Sequence, residues 1–218
     1  MRATAVFCVI ALACARGAAA QEPPPKLPLF VLDFHGTIPR FPNDDPDLAA
    51  SRAAPDGTPL GIADLPGSGL GIQIGLHLYL VRWRALTVGI GGEFTSGRSS
   101  QTPPEGSTSV IATTERFRSL SPQLSFNFGN GYGWSYISGG LGQSVWFLEP
   151  TGTDASPPDE EYVKTLNYGG GARWFAKPHV AFSFDVRFYA ISPGTPYFGY
   201  PGSPRMRLLI IGAGISVK

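Results

Sequence analysis

The chain has 218 residues, of which 15% are charged, and its formal net charge is +1 at neutral pH. This balance offers no basic excess to attract nucleic acid, and the length suits a single domain. With 28 glycines and so few charges, the composition is unusual for a soluble enzyme of this size.

Residues 1–20 are typical of a secretory signal peptide. Arg2 precedes a mostly apolar run, and the small residues at 18–20 offer a cleavage site. The run is too short to cross a bilayer as a helix. An alternative is a lipoprotein signal with attachment at Cys14, although the residues before this cysteine fit a lipobox poorly.

Cleavage after residue 20 would remove both cysteines, Cys8 and Cys14, so the mature chain is predicted to have no disulfide and no cysteine metal site. The formal charge would change from +1 to 1 − 2 = −1, because Arg2 and Arg16 are lost. The proline-rich residues 21–28 are predicted to form a short extended spacer. No later run approaches eighteen consecutive apolar residues, which excludes a helical membrane span.

Residues 29–218 contain eight segments in which apolar residues alternate with glycine or polar residues. In the clearest, 70–80, leucines and isoleucines occupy every second position, and Gln73, His77 and Tyr79 lie between them. Because side chains alternate between the two faces of a strand, this pattern predicts a strand with one apolar face. The other segments are 30–35, 86–94, 119–128, 136–147, 165–174, 180–189 and 208–218.

The connections between these segments alternate between long and short. The long ones are 40–66, 96–114, 150–161 and 192–204, and the short ones are 81–84, 129–133 and 176–179. Within the first long connection, Asp45 followed by Pro46 predicts the start of a short helix. One end with long loops and one end with tight turns predicts an all-β, closed, eight-stranded, antiparallel up-and-down barrel with both termini at the short-turn end.

Alternation alone does not reveal which face points into the barrel. A soluble lipocalin-like barrel places its apolar face inside, whereas a transmembrane barrel places that face against lipid and has a polar interior. Small residues on the polar face and aromatic residues on the apolar face favour the transmembrane barrel. So do aromatic residues near strand ends, which are predicted to form interfacial girdles. These are Trp83, Trp134, Trp146, Tyr162, Trp174, Tyr197, Phe198 and Tyr200.

Over residues 27–218 the chain resembles the small eight-stranded outer-membrane barrels of OmpA/OmpX type, a porin-like group of outer-membrane β-barrel domains. The resemblance rests on the architecture and on glycine-rich strand segments such as GGEF, GGLGQSVWF and GGGARWF. It implies an outer-membrane β-barrel domain over 29–218 in a Gram-negative cell envelope, with periplasmic termini and extracellular long loops. It also implies a monomer in contact with outer-membrane lipid and lipopolysaccharide.

Ten polar or charged side chains are predicted to point into the barrel. They are Asp33, His35, Gln73, His77, Glu93, Arg118, Gln123, Arg173, Asp185 and Arg187. An eight-stranded barrel is just wide enough for side chains to fill it, and an unpaired buried charge costs several kcal/mol. We therefore predict a plug of paired charges. The alternative is a narrow porin or small-solute channel in which the pairs exchange partners.

We predict no enzymatic activity and no cofactor or metal. Some small outer-membrane barrels that this chain resembles modify lipid A with His, Ser and a carboxylate, a set that must lie within reach of one another. Here His35 and His77 fall on the polar face and His179 in a short turn. The acidic run 44–47 lacks the ligand spacing of a calcium loop, and the glycine-rich strands lack the helix that a phosphate loop requires.

The sequence therefore predicts a structural or surface-interaction role carried by the four long loops, which would bind an extracellular ligand. It predicts no nucleic-acid partner, and a soluble periplasmic ligand-binding barrel of the lipocalin kind is a further alternative. The identity of the loop ligand does not follow from the residues.

Overall fold

The computed structural model describes residues 26–103, 105–106, 110–152, 157–196, 199 and 201–218. The predicted signal peptide and most of the predicted spacer lie outside these residues, as do Tyr197, Phe198 and Tyr200. Within the described ranges, no helix has the length and apolar character needed to cross a membrane.

Eight antiparallel strands form a closed barrel in the described part of the chain, which confirms the predicted fold class. Each strand pairs with its neighbours in sequence, and the last strand closes the barrel against the first. The strands are β1 (Phe30–Arg40), β2 (Leu70–Trp83), β3 (Leu86–Gln101), β4 (Thr113–Asn130), β5 (Gly133–Pro150), β6 (Val163–Phe175), β7 (Val180–Ile191) and β8 (Met206–Val217).

The connections alternate in length as predicted. Short turns follow β2, β4 and β6, and four long loops follow β1, β3, β5 and β7. We call these loop 1 (41–69), loop 2 (102–112), loop 3 (151–162) and loop 4 (192–205). Loop 2 is shorter than the predicted 96–114, because the strand ladder continues through polar pairs such as Ser100 with Thr114. The prediction depends on the alternation of apolar and polar residues, and this pattern is absent where both paired residues are polar.

Loop 1 contains the predicted short helix, α1 (Pro46–Ala50). Asp45 is its N-cap, since its Oδ1 accepts hydrogen bonds from the backbone N–H groups of Asp47 at 3.0 Å and Leu48 at 3.2 Å. Proline at the first position needs no hydrogen-bond partner there. The helix buries Leu48 and Ala49 toward the barrel mouth. Two single-turn 3₁₀ helices lie in loops 1 and 3, at Ile62–Asp64 and Pro157–Glu160.

The apolar face of the strands points outward. Leu70 and Leu141 are 76% and 72% exposed, and exposed apolar side chains occur on all eight strands. The alternate residues, such as Asp33 and Gln73, are buried inside the barrel. This arrangement is the reverse of a soluble lipocalin-like barrel, so the polar residues fill the lumen and the apolar residues form the outer wall.

Candidate functional site

A first layer of charged residues lies near the short-turn end of the lumen. Arg173 donates two hydrogen bonds to Asp33, from Nε at 2.8 Å and from Nη2 at 2.6 Å. The guanidinium carbon of Arg173 lies 4.0 Å from the centre of the Tyr136 ring, and the Ser216 hydroxyl donates to Asp33. The His77 Nε2 atom is 3.7 Å from the same carboxylate. The bidentate pair of Arg173 and Asp33 joins β6 to β1 inside the lumen at that level.

A second layer is built around Arg187, which is fully buried. It donates to both oxygens of Asp185 at 3.1 Å and lies 3.0 Å from Glu93. It also donates to the Gln123 side-chain oxygen at 3.2 Å and to the Ser138 hydroxyl at 2.9 Å. One cation therefore serves two carboxylates and two neutral acceptors.

Neutral side chains connect these charges into a network across the barrel. Tyr136 donates to Asp185 at 2.6 Å, and Tyr189 donates to Glu93 at 2.8 Å. The Gln73 amide donates to Glu93 at 2.9 Å. Because every charged group in the second layer has several partners, the layer is held in one arrangement.

Aromatic residues close the lumen below the charged layers, at the short-turn end. Val31, Tyr79 and Trp134 form a buried apolar cluster. Trp134 stacks on Phe175 with ring centres 5.0 Å apart. The Lys218 ammonium lies 3.9 Å from the centre of the Phe175 ring, and its partial burial lowers the pKa of the lysine.

A larger apolar cluster closes the opposite end, where loop 1 folds over the mouth. Phe117 packs edge-on against Trp146 and Tyr189, with ring centres 5.8 Å and 5.1 Å apart. Phe41 packs on Trp146 from the loop side. The full buried cluster comprises Phe41, Leu48, Ala49, Ala54, Leu60, Leu65, Phe117, Trp146, Leu148, Tyr189, Ile191, Met206, Leu208 and Ile210.

A buried ion pair ties three of the long loops together. Arg52 of loop 1 lies 3.0 Å from Asp159 of loop 3, and both side chains are almost completely buried. Arg52 also donates to the Ser203 hydroxyl of loop 4 at 3.1 Å. The same Asp159 carboxylate accepts a hydrogen bond from the backbone of Leu148 in β5 at 3.0 Å, so the pair is anchored to the barrel wall.

Two further carboxylates complete the connections between loops. Asp64 of loop 1 accepts a hydrogen bond from the backbone of Ile111 in loop 2 at 2.7 Å. Glu161 of loop 3 accepts from the backbone and hydroxyl of Thr195 in loop 4, at 2.8 Å and 2.7 Å. The four loops thus form one connected cap.

Loop 1 also has a local hydrogen bond at its surface. The Thr58 hydroxyl donates to the Asp56 carboxylate and lowers the pKa of this aspartate.

Nine of the ten residues predicted to point inward are buried in the lumen, and Arg118 is a correction. Its side chain is exposed on the outer wall. It lies two residues before Leu120, which is also exposed outside, and residues two apart in a strand share a face. The inward residue at that level is Phe117.

Only some of the predicted interfacial aromatic residues lie on the outside of the barrel. Trp83, Tyr162 and Trp174 are exposed on the outside. Trp134 and Trp146 are each only 3% exposed and lie inside the lumen, so their assignment to a girdle was wrong. Both have the same parity as inward-facing Tyr136, and nearness to a strand end does not override that parity. Tyr197, Phe198 and Tyr200 lie outside the described residues.

Sequence reasoning missed the residues that build the cap. Arg52, Asp64 and Asp159 lie in loops, where no periodicity marks a residue as buried. The apolar residues lining the loop end of the lumen were missed for a different reason. Leu208 and Ile210 occupy the inward face of β8. These two apolar residues interrupt the alternation in the last segment, and that irregularity was the available sign of an apolar region inside the lumen.

One buried carboxylate in this region has only the Trp146 indole beside it, and that contact does not have good hydrogen-bond geometry. Glu115 is completely buried, and neither of its oxygens meets hydrogen-bond geometry with any described residue. An unsatisfied buried polar group costs about 1–3 kcal/mol. We therefore expect Glu115→Leu to raise the free energy of unfolding by about 1–3 kcal/mol, measured by urea titration in detergent micelles.

The matched control is Glu149→Leu at the same end of the barrel. Glu149 pairs with Arg116 on the partly exposed outer wall, and such pairs contribute at most about 1 kcal/mol. Its replacement should change stability little. A loss of stability in Glu115→Leu would show that the carboxylate has a stabilising partner.

Comparison with solved structures relates the barrel to outer-membrane proteins. Neisserial surface protein A matches with a TM-score of 0.54 and 13% identity, over 88% of this chain and 97% of that chain. The chain has the fold of a small outer-membrane β-barrel. At this level of identity the likeness establishes the fold only. The function of the protein has to be inferred from the residues of this chain.

Two other outer-membrane proteins align over similar lengths. The attachment invasion locus protein Ail of Yersinia pestis has a TM-score of 0.47 and 14% identity, over 86% of this chain and 97% of that chain. The outer membrane protein OprG of Pseudomonas aeruginosa has a TM-score of 0.48 and 11% identity, over 88% and 97%. Both TM-scores are below 0.5 and lower than that of the Neisserial protein. No protein-family model matches the sequence, and no curated protein matches it significantly.

Proposed function

We propose that this chain is a non-enzymatic, non-conducting protein of the bacterial outer membrane, with a barrel that anchors a cap of four long loops at the cell surface. The apolar outer wall carries this proposal. Monomeric soluble proteins rarely expose large continuous apolar surfaces, whereas lipid requires them.

The two unlike ends support one orientation in the membrane. Outer-membrane barrels have short periplasmic turns and longer extracellular loops. On that basis both termini lie in the periplasm and loops 1 to 4 lie outside the cell. The cap is then the part of the chain that meets extracellular partners, and lipopolysaccharide surrounds its base.

This location is tested by fractionation and a heat-modifiability gel. We expect the full-length protein in the outer-membrane fraction, and we expect the unheated, detergent-extracted protein to migrate differently from the boiled protein. Recovery in the soluble periplasmic fraction, with no heat-dependent shift, would contradict the proposal.

The closed lumen supports a structural role over the alternative of a narrow porin. Two charged layers lie between two apolar clusters, and opening a path would require Arg173 and Arg187 to leave their carboxylates. Breaking a buried ion pair costs about 3–5 kcal/mol. We therefore expect no unitary conductance from purified protein in planar bilayers over a wide voltage range. Reproducible single-channel steps would favour the porin.

The positions of the histidines support the non-enzymatic assignment. His35 Nε2 lies 2.7 Å from the Ser183 hydroxyl, but both groups are buried inside the lumen, away from any lipid. His77 is also buried there, and His179 is exposed at the short-turn end. Altered acylation of lipid A after incubation with the purified barrel, detected by mass spectrometry, would overturn this assignment.

A further inference from the structure

The outer wall carries an apolar groove across β4 and β5. Its central part is a depression of about 800 Å³. The apolar side chains that line it are Leu76, Leu78, Ile90, Leu124, Leu141 and Leu166. These side chains come from β2 to β6, so the depression is centred on β4 and β5 and reaches the strands on both sides, at mid-height on the barrel.

The strand ladder is interrupted at this depression. The β4–β5 pairing stops after Leu120 with Gln143 and resumes at Leu124 with Gly139. Pro122 lies in the break and has no N–H to donate to the ladder. Gly140, on the lumen side of β5, lies so close to this break that an added Cβ would be 1.8 Å from the Pro122 carbonyl oxygen. On the outer face Gly92 and Gly139 line the depression without side chains, which lowers the wall at this point.

The groove continues toward the long-loop end and becomes polar there. A second depression of about 730 Å³ shares Pro122 with the first. Phe94, Leu120 and Phe147 line it, together with two exposed charged residues, Arg118 of β4 and Glu160 of loop 3. The groove therefore has an apolar floor and a charged upper end, where the arginines Arg98, Arg116 and Arg118 outnumber the carboxylates Glu149 and Glu160.

Three arginines lie close together at this upper end. Arg98 of β3 pairs directly across the ladder with Arg116 of β4, and Arg118 lies two residues away on the same face. Like charges directly opposite in a sheet are destabilising. Arg116 is neutralised by Glu149, but neither Arg98 nor Arg118 forms a salt bridge with any described carboxylate. An anion bound there would relieve the repulsion.

The length of the groove matches one leaflet of the membrane. Arg118 and Leu124 are six positions apart on β4, which is about 20 Å along a strand. With a strand tilt of about 40°, this corresponds to about 15 Å of depth, half of a hydrocarbon core of about 30 Å. A head group at Arg118 would thus place its acyl chains along the groove to the midplane.

We infer that this face of the barrel binds one molecule of the phosphorylated, multiply acylated glycolipid of the outer leaflet, the lipid A part of lipopolysaccharide. Its phosphates contact Arg98 and Arg118, and its acyl chains lie in the groove below. The inference rests on the proposed function, because only an outer-membrane orientation with the long loops outside brings this face to that leaflet.

The test is native mass spectrometry of the full-length protein titrated in non-ionic detergent with lipid A, dephosphorylated lipid A and phosphatidylglycerol. We expect lipid A to bind at least tenfold more tightly than either of the others. The double variant Arg98→Gln with Arg118→Gln should lose at least tenfold in affinity for lipid A. The matched control, Arg82→Gln with Arg84→Gln at the short-turn end, should lose less than twofold.

Leu141→Trp supplies an independent test, because it fills the groove without changing charge. Leu141 is exposed, so the barrel should fold, and binding of lipid A should weaken at least fivefold. Equal affinity of the wild type and the arginine variant for lipid A would overturn the inference, as would equal binding of phosphatidylglycerol. If all variants keep the heat-dependent gel shift while lipid A binding fails, this inference falls and the proposed function stands.

Discussion

Replacing Arg187 by methionine should lower the free energy of unfolding by about 3–5 kcal/mol, the cost of leaving a buried charge without its partner. The substitution removes the one cation that lies 3.0 Å from Glu93 and 3.1 Å from Asp185. Two carboxylates then face each other inside a narrow lumen. The measurement is the urea dependence of the folded, unheated gel band in detergent micelles.

Rescue and control variants separate charge from packing. Adding Glu93→Gln to the Arg187→Met variant should recover part of the loss, because one of the two unpaired carboxylates is then neutral. Arg82→Met, at an exposed site in the short-turn end, should change stability by less than about 0.5 kcal/mol. An Arg187→Met protein with wild-type stability would mean that the second layer is not held by charge pairing.

Replacing Arg52 by methionine should open the cap while the barrel stays folded. The substitution removes the cation that lies 3.0 Å from the buried Asp159, and it removes the contact with Ser203. A cost of about 3–5 kcal/mol corresponds to an increase of at least about 100-fold in the open population. We expect proteinase K to cleave loops 1 and 3 at least tenfold faster, since cleavage follows the open population, with the heat-dependent gel shift unchanged.

Arg205→Met is the control for this experiment, because Arg205 is an exposed cation of the same loop region. Its cleavage rate should stay within twofold of the wild type. Adding Asp159→Asn to Arg52→Met should slow cleavage again, because the buried group is then uncharged. Equal cleavage of the wild type and Arg52→Met would show that the loops are held together by contacts other than this pair.

The positions and order of the strands could be predicted from the residues alone. Leu70 to Leu80 alternates without interruption, and the side-chain period of two has no other explanation in a segment of that length. The same regularity, carried through seven more segments with long and short connections between them, predicted a closed barrel. The Asp45-Pro46 pair likewise marked a short helix, because capping depends on neighbours in sequence.

The candidate site could be predicted only where it lies on the strands. The charged residues of the lumen alternate with apolar residues, so the sequence predicts that they share one face. They include Asp33, Glu93, Asp185 and Arg187. The distances between them depend on register, which brings together residues far apart in sequence. The cap was not predictable, because the burial of Arg52 and Asp159 results from loop packing and leaves no period in the chain.

By itself, then, the sequence determined where the strands lie, how they follow one another and which residues share a face, because these are local properties of an extended chain. The tertiary structure decided which face is inside and which residues meet. Closure of the barrel turned the apolar face outward, placed Trp134 and Trp146 inside, and set Arg98 opposite Arg116. Those outcomes depend on strand register and curvature, which are set by contacts between segments distant in the chain.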